Sequence, residues 1–113
     1  MMDSSLQDEI RLLHAEICQA LADPKRIALL YTLDEGPQCV TDLAAALGVP
    51  QPTASYHLRI LRERGLVLAD PEGTTVHYSL ADDRIVEALE MLRAMLADML
   101  TRQAELMREA RER

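Results

Sequence analysis

The stretch from Val40 to Val67, VTDLAAALGVPQPTASYHLRILRERGLV, carries polar and basic side chains at helical spacing. In its second half Ala54, Leu58 and Leu61 recur on one side of a helix, which predicts an apolar face turned inward. The other positions are then spread over the more exposed sides of that helix. Their amide, hydroxyl, imidazole and guanidinium groups can hydrogen-bond the base edges and phosphates of DNA. The candidate DNA-binding residues are therefore Gln51, Thr53, Ser55, Tyr56, His57, Arg59 and Arg62.

A second helix must hold this one against DNA. Apolar residues at i, i+3, i+4 and i+7 from position 40 predict a helix with Thr41 as its N-cap and Gly48 at its end. Residues 40–64 are thus predicted to form a helix-turn-helix, whose second helix enters the major groove. We expect base edges to be met by the N-terminal residues Gln51, Thr53, Ser55 and Tyr56, and phosphates by Arg59 and Arg62. A helical hairpin whose polar face is only solvated fits this stretch equally well. The residues that follow decide between the two interpretations.

Those residues predict a β-hairpin over 66–80. Residues 66–68 form a short apolar strand, Pro71-Glu72-Gly73 a turn, and TVHYSL, from Thr75 to Leu80, a second strand rich in β-branched and aromatic side chains. Two helices followed by a hairpin are a winged helix-turn-helix. The predicted fold is therefore mainly α with a small β-hairpin wing, in the order α-α-α-α-β-β-α.

Amphipathic helices are also predicted at both ends of the chain. Apolar residues recur every three or four positions in residues 1–21, behind the capping-box pattern Ser4-x-x-Gln7, and in residues 82–108, behind Asp82. At about 1.5 Å per residue the last helix is longer than a core of this size is wide, so its apolar stripe needs a second chain. We expect a homodimer through the first and last helices that sets two reading helices on a palindromic operator. Met91, Met95 and Met99 in that stripe fit core packing better than a soft-metal site.

Composition narrows the class of protein further. The 113 residues, 1–113, suit a single domain, and the absence of a signal region and of an apolar run of about 20 residues predicts a cytoplasmic protein without a membrane partner. The net charge of −7 argues against indiscriminate nucleic-acid binding, although Arg59, Arg62 and Arg64 concentrate positive charge on the candidate helix. Cys-x-x-Cys, a Gly-rich phosphate loop and triad-like spacing are all missing, so we expect no enzyme. The acidic wing, residues 70–75, leaves a protein-interaction module open as the alternative.

Five motifs lie between residues 20 and 80: ALADPKRIALL (20–30), CVTDLAAALG (39–48), PTASYHLRIL (52–61), RGLV (64–67) and GTTVHYSL (73–80). They resemble motifs of the ArsR/SmtB group of bacterial metal-responsive repressors, and the resemblance covers nearly the whole chain. The resemblance implies a dimeric transcriptional repressor that leaves its DNA operator when a metal ion, a metalloid or an oxidant reaches the protein.

The same resemblance points to effector residues. C-V-T-D-L is similar to the family's metal-binding motif, which makes Cys39 and Asp42 candidate ligands, although Thr41 stands where the arsenical version has a second thiolate. His14 and Cys18, four residues apart on the first helix, are the nearest additional donors and would complete a tetrahedral site for a thiophilic metal ion. The family's other site, on the last helix, is lacking because Arg84 stands at one of its positions.

Three alternatives for these residues stay open. Cys18 and Cys39 could form a reversible disulfide or react with persulfide or peroxide, without any metal. Cys18 could instead be a small buried core residue and His14 a surface residue, because free cysteine is among the most buried residue types. The repressor could also respond to a small organic effector or to none.

Overall fold

The computed structural model describes residues 2–113, so Met1, where the predicted segment 1–21 begins, lies outside the described residues. The chain divides into two compact units, one ending at Asp83 and one running from Arg84 to Arg113. We describe each by itself. A single domain over 1–113 stays a prediction.

The first unit begins with two helices that aspartates cap. Helix α1 covers Ser4–Leu12 and continues as a π-helical segment, Leu13–Cys18, while α2 covers Pro24–Leu33. The predicted cap Ser4 is wrong by one residue, because the carboxylate of Asp3 accepts from the Leu6 amide at 2.7 Å. Asp23 does the same for the Lys25 amide, also at 2.7 Å, and Pro24 fits the first helical position, where no amide is needed.

The predicted helix-turn-helix is present as α3, Val40–Leu47, and α4, Gln51–Glu63. Helix α3 ends at Gly48, whose φ of 68° is left-handed, and the Val49 amide then donates to the Ala44 carbonyl at 3.1 Å. The predicted N-cap Thr41 is wrong by two residues. Cys39 holds the cap position because it is extended and paired in a strand, so the helix starts directly after it.

The wing is a three-stranded antiparallel sheet rather than a simple hairpin. Strands β2, Val67–Glu72, and β3, Thr75–Leu80, form the predicted hairpin, and β1, Gln38–Cys39, adds to β3, giving the order β1-β3-β2. Pro71, expected in the turn, lies in β2 opposite Val76. An edge strand tolerates proline, and the turn itself is Gly73-Thr74, with Gly73 at φ 63°. The predicted fold class is confirmed, with β1 added.

Helices α2, α3 and α4 pack together around an aliphatic core. Because the core lacks large aromatic rings, leucine supplies most of its volume. The largest fully buried side chains are Leu29, Leu30, Leu43, Leu58, Leu61 and Val67.

The second unit is one helix, α5, which covers Arg84–Glu112. Its 29 residues span about 44 Å at the α-helical rise. The helix starts two residues later than the predicted range 82–108 and ends four residues beyond it. Beyond Leu89 every residue of the helix is exposed, including Met91 at 77% and Leu92 at 53%. Within residues 2–113 no helix combines the length and apolarity that a membrane span requires.

Candidate nucleic-acid interface

Helix α4 has a buried side and an exposed polar side. Ala54, Leu58 and Leu61 are fully buried, which fixes the helix on the core of the first unit. The opposite side presents an amide, a hydroxyl, a phenol and two guanidinium groups to solvent, while Thr53 is half-buried. We call this side the α4 outer face; its residues are Gln51, Ser55, Tyr56, Arg59 and Arg62.

The turn before α4 sets which residues lead the helix. Gly48 reverses the chain, Pro50 is extended at the N-cap position, and Pro52 lies in the first turn, where a missing amide costs no hydrogen bond. Gln51 is therefore the first helical residue and is exposed. The first residues of α4, Gln51 and Pro52, are exposed, as they must be in a helix that enters a DNA groove.

One predicted contact residue lies on the wrong side. His57 was expected among the exposed positions, but it is only 7% exposed, so that expectation is wrong. It follows Ala54 by three residues and precedes Leu61 by four, which places it on the inward stripe. There its Nδ1 lies 3.2 Å from Nη1 of Arg26 on α2. Sequence periodicity missed this contact because the two residues are 31 positions apart.

Two residues of the outer face support each other. The Arg59 guanidinium carbon lies 5.7 Å from the centre of the Tyr56 ring, within range of a cation–π contact. Tyr56 is half exposed, and its ring packs edge-on to His57 with the ring centres 5.1 Å apart. The buried His57 ring therefore packs against the exposed Tyr56–Arg59 pair from the core side of α4.

Arg64, unlike the arginines of the α4 outer face, contacts the first helix. Its Nη1 donates to the Ala15 carbonyl at 3.1 Å and lies 3.7 Å from Oε1 of Glu16. Both acceptors belong to the π-helical segment Leu13–Cys18. The sequence analysis grouped Arg64 with Arg59 and Arg62. In the structure Arg64 instead links the π-helical segment to the end of α4.

The wing carries more negative than positive charge. Asp70 and Glu72 are exposed, and His77 is the only basic residue between 67 and 80. Its Nδ1 lies 3.2 Å from Oε2 of Glu72, close enough for an ion pair when His77 is protonated, although the contact lacks hydrogen-bond geometry. The wing is therefore poorly suited to phosphate contact, as its composition predicts.

Cys39 lies in a cleft beside the start of α4. The cleft has a volume of about 390 Å³ and is open to solvent. It is bordered by the start of α3, the tip of the wing and the first residue of α4. The lining residues are Cys39, Val40, Thr41, Gln51, Thr74, Thr75, Val76 and Tyr78.

The other candidate effector residues, within residues 2–113, do not form a metal site. Cys18 and His14 belong to the π-helical segment and are exposed, so the interpretation of Cys18 as a buried core residue is wrong. Both cysteines are free thiols, and Asp42 is exposed in the first turn of α3. Among residues 2–113 no three histidine, cysteine or acidic side chains come together as metal ligands, so one chain does not assemble the proposed site of four donors.

Two helices joined by a glycine turn, an exposed polar face on the second and a β-wing behind it define a winged helix-turn-helix DNA-binding domain. A family model described as "Bacterial regulatory protein, arsR family" matches residues 23–68. The chain belongs to the ArsR family of bacterial transcription regulators, which confirms the resemblance seen in its motifs and the expectation that it is not an enzyme.

One regulator similar in sequence and two similar solved structures illustrate the likeness. The HTH-type transcriptional regulator NmtR of Mycobacterium tuberculosis is 45% identical over 76 residues, which are 67% of this chain and 63% of NmtR. The homodimeric winged helix-turn-helix domain of Mb0332 from Mycobacterium bovis has a TM-score of 0.74 at 27% identity, covering 88% of this chain and 91% of that one. The antimony-specific transcriptional repressor AntR has a TM-score of 0.70 at 29% identity, covering 89% and 88%.

Proposed function

We propose that the protein is a homodimeric, cytoplasmic transcriptional repressor that binds a palindromic DNA operator through the α4 outer face. We further propose that it releases the operator when a thiophilic effector, either a metal or metalloid ion or an oxidant, reaches Cys39. The observation that carries the first part is the two-sided character of α4. The helix is held by buried leucines while its amide, hydroxyl and guanidinium groups stay free for DNA.

The chemistry of the outer face divides by position along the helix. Gln51 and Ser55 lie in its first two turns, nearest the bases, and side-chain amides pair well with adenine edges. Arg59 and Arg62 lie in the later turns, where guanidinium groups meet phosphates. Thr53, which is half-buried, is a further candidate for DNA contact. His57 is not among the proposed DNA-contacting residues because it is buried.

Homodimer formation is supported by the apolar side chains that α1 and α5 leave exposed. In α1, Leu6 and Ile10 are each 43% exposed, and in α5 the apolar stripe is exposed from Met91 onward. Burial of such surface stabilises an interface by roughly 25 cal/mol per Å² of apolar area. The solved domain of Mb0332 is homodimeric, and we propose the same state for this chain.

The cleft supports Cys39 as the effector residue. It shares the cleft with Gln51, the first residue of the DNA-contacting helix, and with Thr74 and Thr75 at the tip of the wing. A group bonded to Cys39 would occupy space that these residues need when they face DNA. Release then follows from local displacement, without unfolding.

A resident metal ion is less well supported within one chain. Cys39 and Asp42 offer two donors, and structural metal sites in proteins usually have four. The described residues supply no cluster that completes the set. AntR is described as antimony-specific, so a metalloid remains one of the effectors to test, beside oxidants.

The test is operator release. A duplex selected from a random-sequence library by the reduced protein is titrated with zinc, cadmium, arsenite, peroxide and persulfide, and binding is followed by fluorescence anisotropy. We expect at least one of these to release the duplex from the native protein. The Cys39→Ser variant should stay bound.

The Cys18→Ser variant is the matched control, because Cys18 is exposed in the π-helical segment and lies outside the cleft. A loss of response in Cys18→Ser alone would move the effector site to the first helix. An unchanged response in both variants would exclude the two thiols as the effector site. A native protein that responds to none of the five agents would be a repressor with a small organic effector or none.

The acidic wing and the net charge of −7 favour one other function, a protein-interaction module. Arg59→Glu separates the two. The substitution reverses a charge on the α4 outer face, so it should abolish a DNA complex while sparing a protein complex.

A further inference from the structure

A polar contact inside the first unit links α2 to the buried side of α4. The Arg26 guanidinium reaches three groups at once: Nε donates to the Ala20 carbonyl at 2.7 Å, Nη2 to the Gln19 carbonyl at 3.2 Å, and Nη1 lies 3.2 Å from Nδ1 of His57. His57 is the one polar residue among the buried side chains of residues 2–113. The planar guanidinium therefore holds the imidazole at a fixed place.

The contact specifies the protonation state of His57. An arginine side chain has no acceptor and stays charged at any ordinary pH, so Nδ1 of His57 must accept the hydrogen bond. The imidazole is then neutral and carries its proton on Nε2. Protonation of Nδ1 would remove the acceptor and set two positive charges 3.2 Å apart.

Two ring contacts carry the position of His57 to the DNA side of the helix. Its ring packs edge-on to Tyr56, with an angle of 66° between the ring planes. The Arg59 guanidinium in turn lies over Tyr56. A displacement of the imidazole away from Arg26 therefore moves the support on which both outer-face residues rest.

We infer that Arg26 and His57 form a positioning pair that orients Tyr56 and Arg59 for DNA, and that protonation of His57 breaks the pair and weakens DNA binding. The effect on DNA rests on the proposed function. The pairing itself does not, and it is testable without DNA.

The surrounding charges support this direction. Burial lowers the pKa of His57 below its ordinary 6.5; the carboxylate of Asp23 opposes this, and the positive charges of Arg26 and Lys25 lower the pKa further. Arg26 and Lys25 belong to α2 and Asp23 caps its start, and within the described chain no charged side chain of α3 or β2 acts on the ring. A lowered pKa means that the folded protein favours neutral His57, so its contribution is complete well above pH 6.5 and is lost as the pH falls below that value.

The first experiment is a pH titration of the DNA-free native protein by nuclear magnetic resonance, with nitrogen detection of the imidazoles. We expect the Nε2-protonated tautomer of His57 at pH 7.5, a titration midpoint below 6.5, and Tyr56 ring signals that shift with the same midpoint. In Arg26→Gln, which removes the neighbouring charge, the midpoint should move up. A His57 proton on Nδ1 at pH 7.5, or Tyr56 signals that ignore the titration, would overturn the pairing.

The second experiment measures affinity for the selected duplex from pH 5 to 7.5. One pH unit below the midpoint about a tenth of the His57 side chains are neutral, so affinity should fall by up to about tenfold per protomer. His57→Asn keeps an acceptor that does not titrate, and its affinity should stay level across this range. His14→Asn is the matched control and should keep the native pH response, because the imidazole of His14 is exposed and lies 3.4 Å from the Gln19 side chain, outside the Arg26–His57 contact.

The two experiments separate the two proposals. If His57→Asn responds to pH as the native protein does, another group causes the response and the inference is wrong. If the protein selects no duplex at all, the proposed function fails, and the titration of the free protein still decides whether Arg26 and His57 are paired.

Discussion

Replacing Arg62 by glutamine should change how DNA affinity depends on salt. Arg62 is exposed in the last turn of α4, and we assign it to a phosphate rather than to a base. Each phosphate contact contributes about 0.9 to the slope of log affinity against log salt, because binding releases condensed counterions. A dimer loses two such contacts, so Arg62→Gln should make the slope shallower by about 1.8.

The size of the effect makes it measurable. When salt rises from 50 to 200 mM, the affinity of the native protein should fall by a factor roughly twelve times larger than that of Arg62→Gln, because the slopes differ by about 1.8. The assay is fluorescence anisotropy of the selected duplex at several salt concentrations. Arg108→Gln on α5 is the matched control, since it removes the same charge from an exposed helical position outside the α4 outer face.

A second comparison separates phosphates from bases. Gln51→Ala removes an uncharged group at the start of α4, so it should lower affinity and relax sequence preference while leaving the slope unchanged. If Arg62→Gln and Arg108→Gln change the slope equally, only net charge matters. The assignment of Arg62 to a phosphate would then be wrong.

Three further predictions concern stability. Gly48→Ala should destabilise the fold by about 1 kcal/mol in urea unfolding, because φ of 68° is strained for alanine although no atom lies within 4 Å of the added Cβ. Leu58→Ala should cost about 2–5 kcal/mol at equal protein concentration, since the side chain is fully buried; a loss below 1 kcal/mol would contradict its place in the core. The Lys25 amide lowers the pKa of Asp23 below its ordinary 3.8, so the stability that this carboxylate contributes is complete above that pH and is lost as the pH falls below it. Melting temperatures between pH 2.5 and 6 should therefore fall less steeply at the acidic end for Asp23→Asn, whose amide oxygen still caps α2.

Local chemistry explains why so much of the fold was predictable. Gly48 ends α3 as expected because only glycine adopts the left-handed conformation without strain, and that property belongs to the residue itself. The strand TVHYSL begins and ends where its β-branched and aromatic residues do. Apolar spacing along α4 likewise placed Ala54, Leu58 and Leu61 on the inside. Each of these inferences needs only neighbours within one or two helical turns.

The errors share a different cause. His57 was assigned to the exposed side because imidazole is polar, and its partner Arg26 is distant in sequence. Strand β1 has two residues, too few for any alternating pattern, and it exists because β3 offers free hydrogen-bonding groups. That pairing also moved the N-cap of α3 from the predicted Thr41 to Cys39. Contacts between distant segments decided all three.

The sequence by itself therefore determined the order of helices and strands, the helix-turn-helix and the polar character of one face of α4, because periodicity and turn chemistry act locally. Only the tertiary structure decided what lies behind and beside that face. It set Arg26 against His57 under the helix and Cys39 beside Gln51 at its start. The physical reason is that such contacts depend on how separate elements pack, and packing distances are not encoded in the spacing of residues along one element.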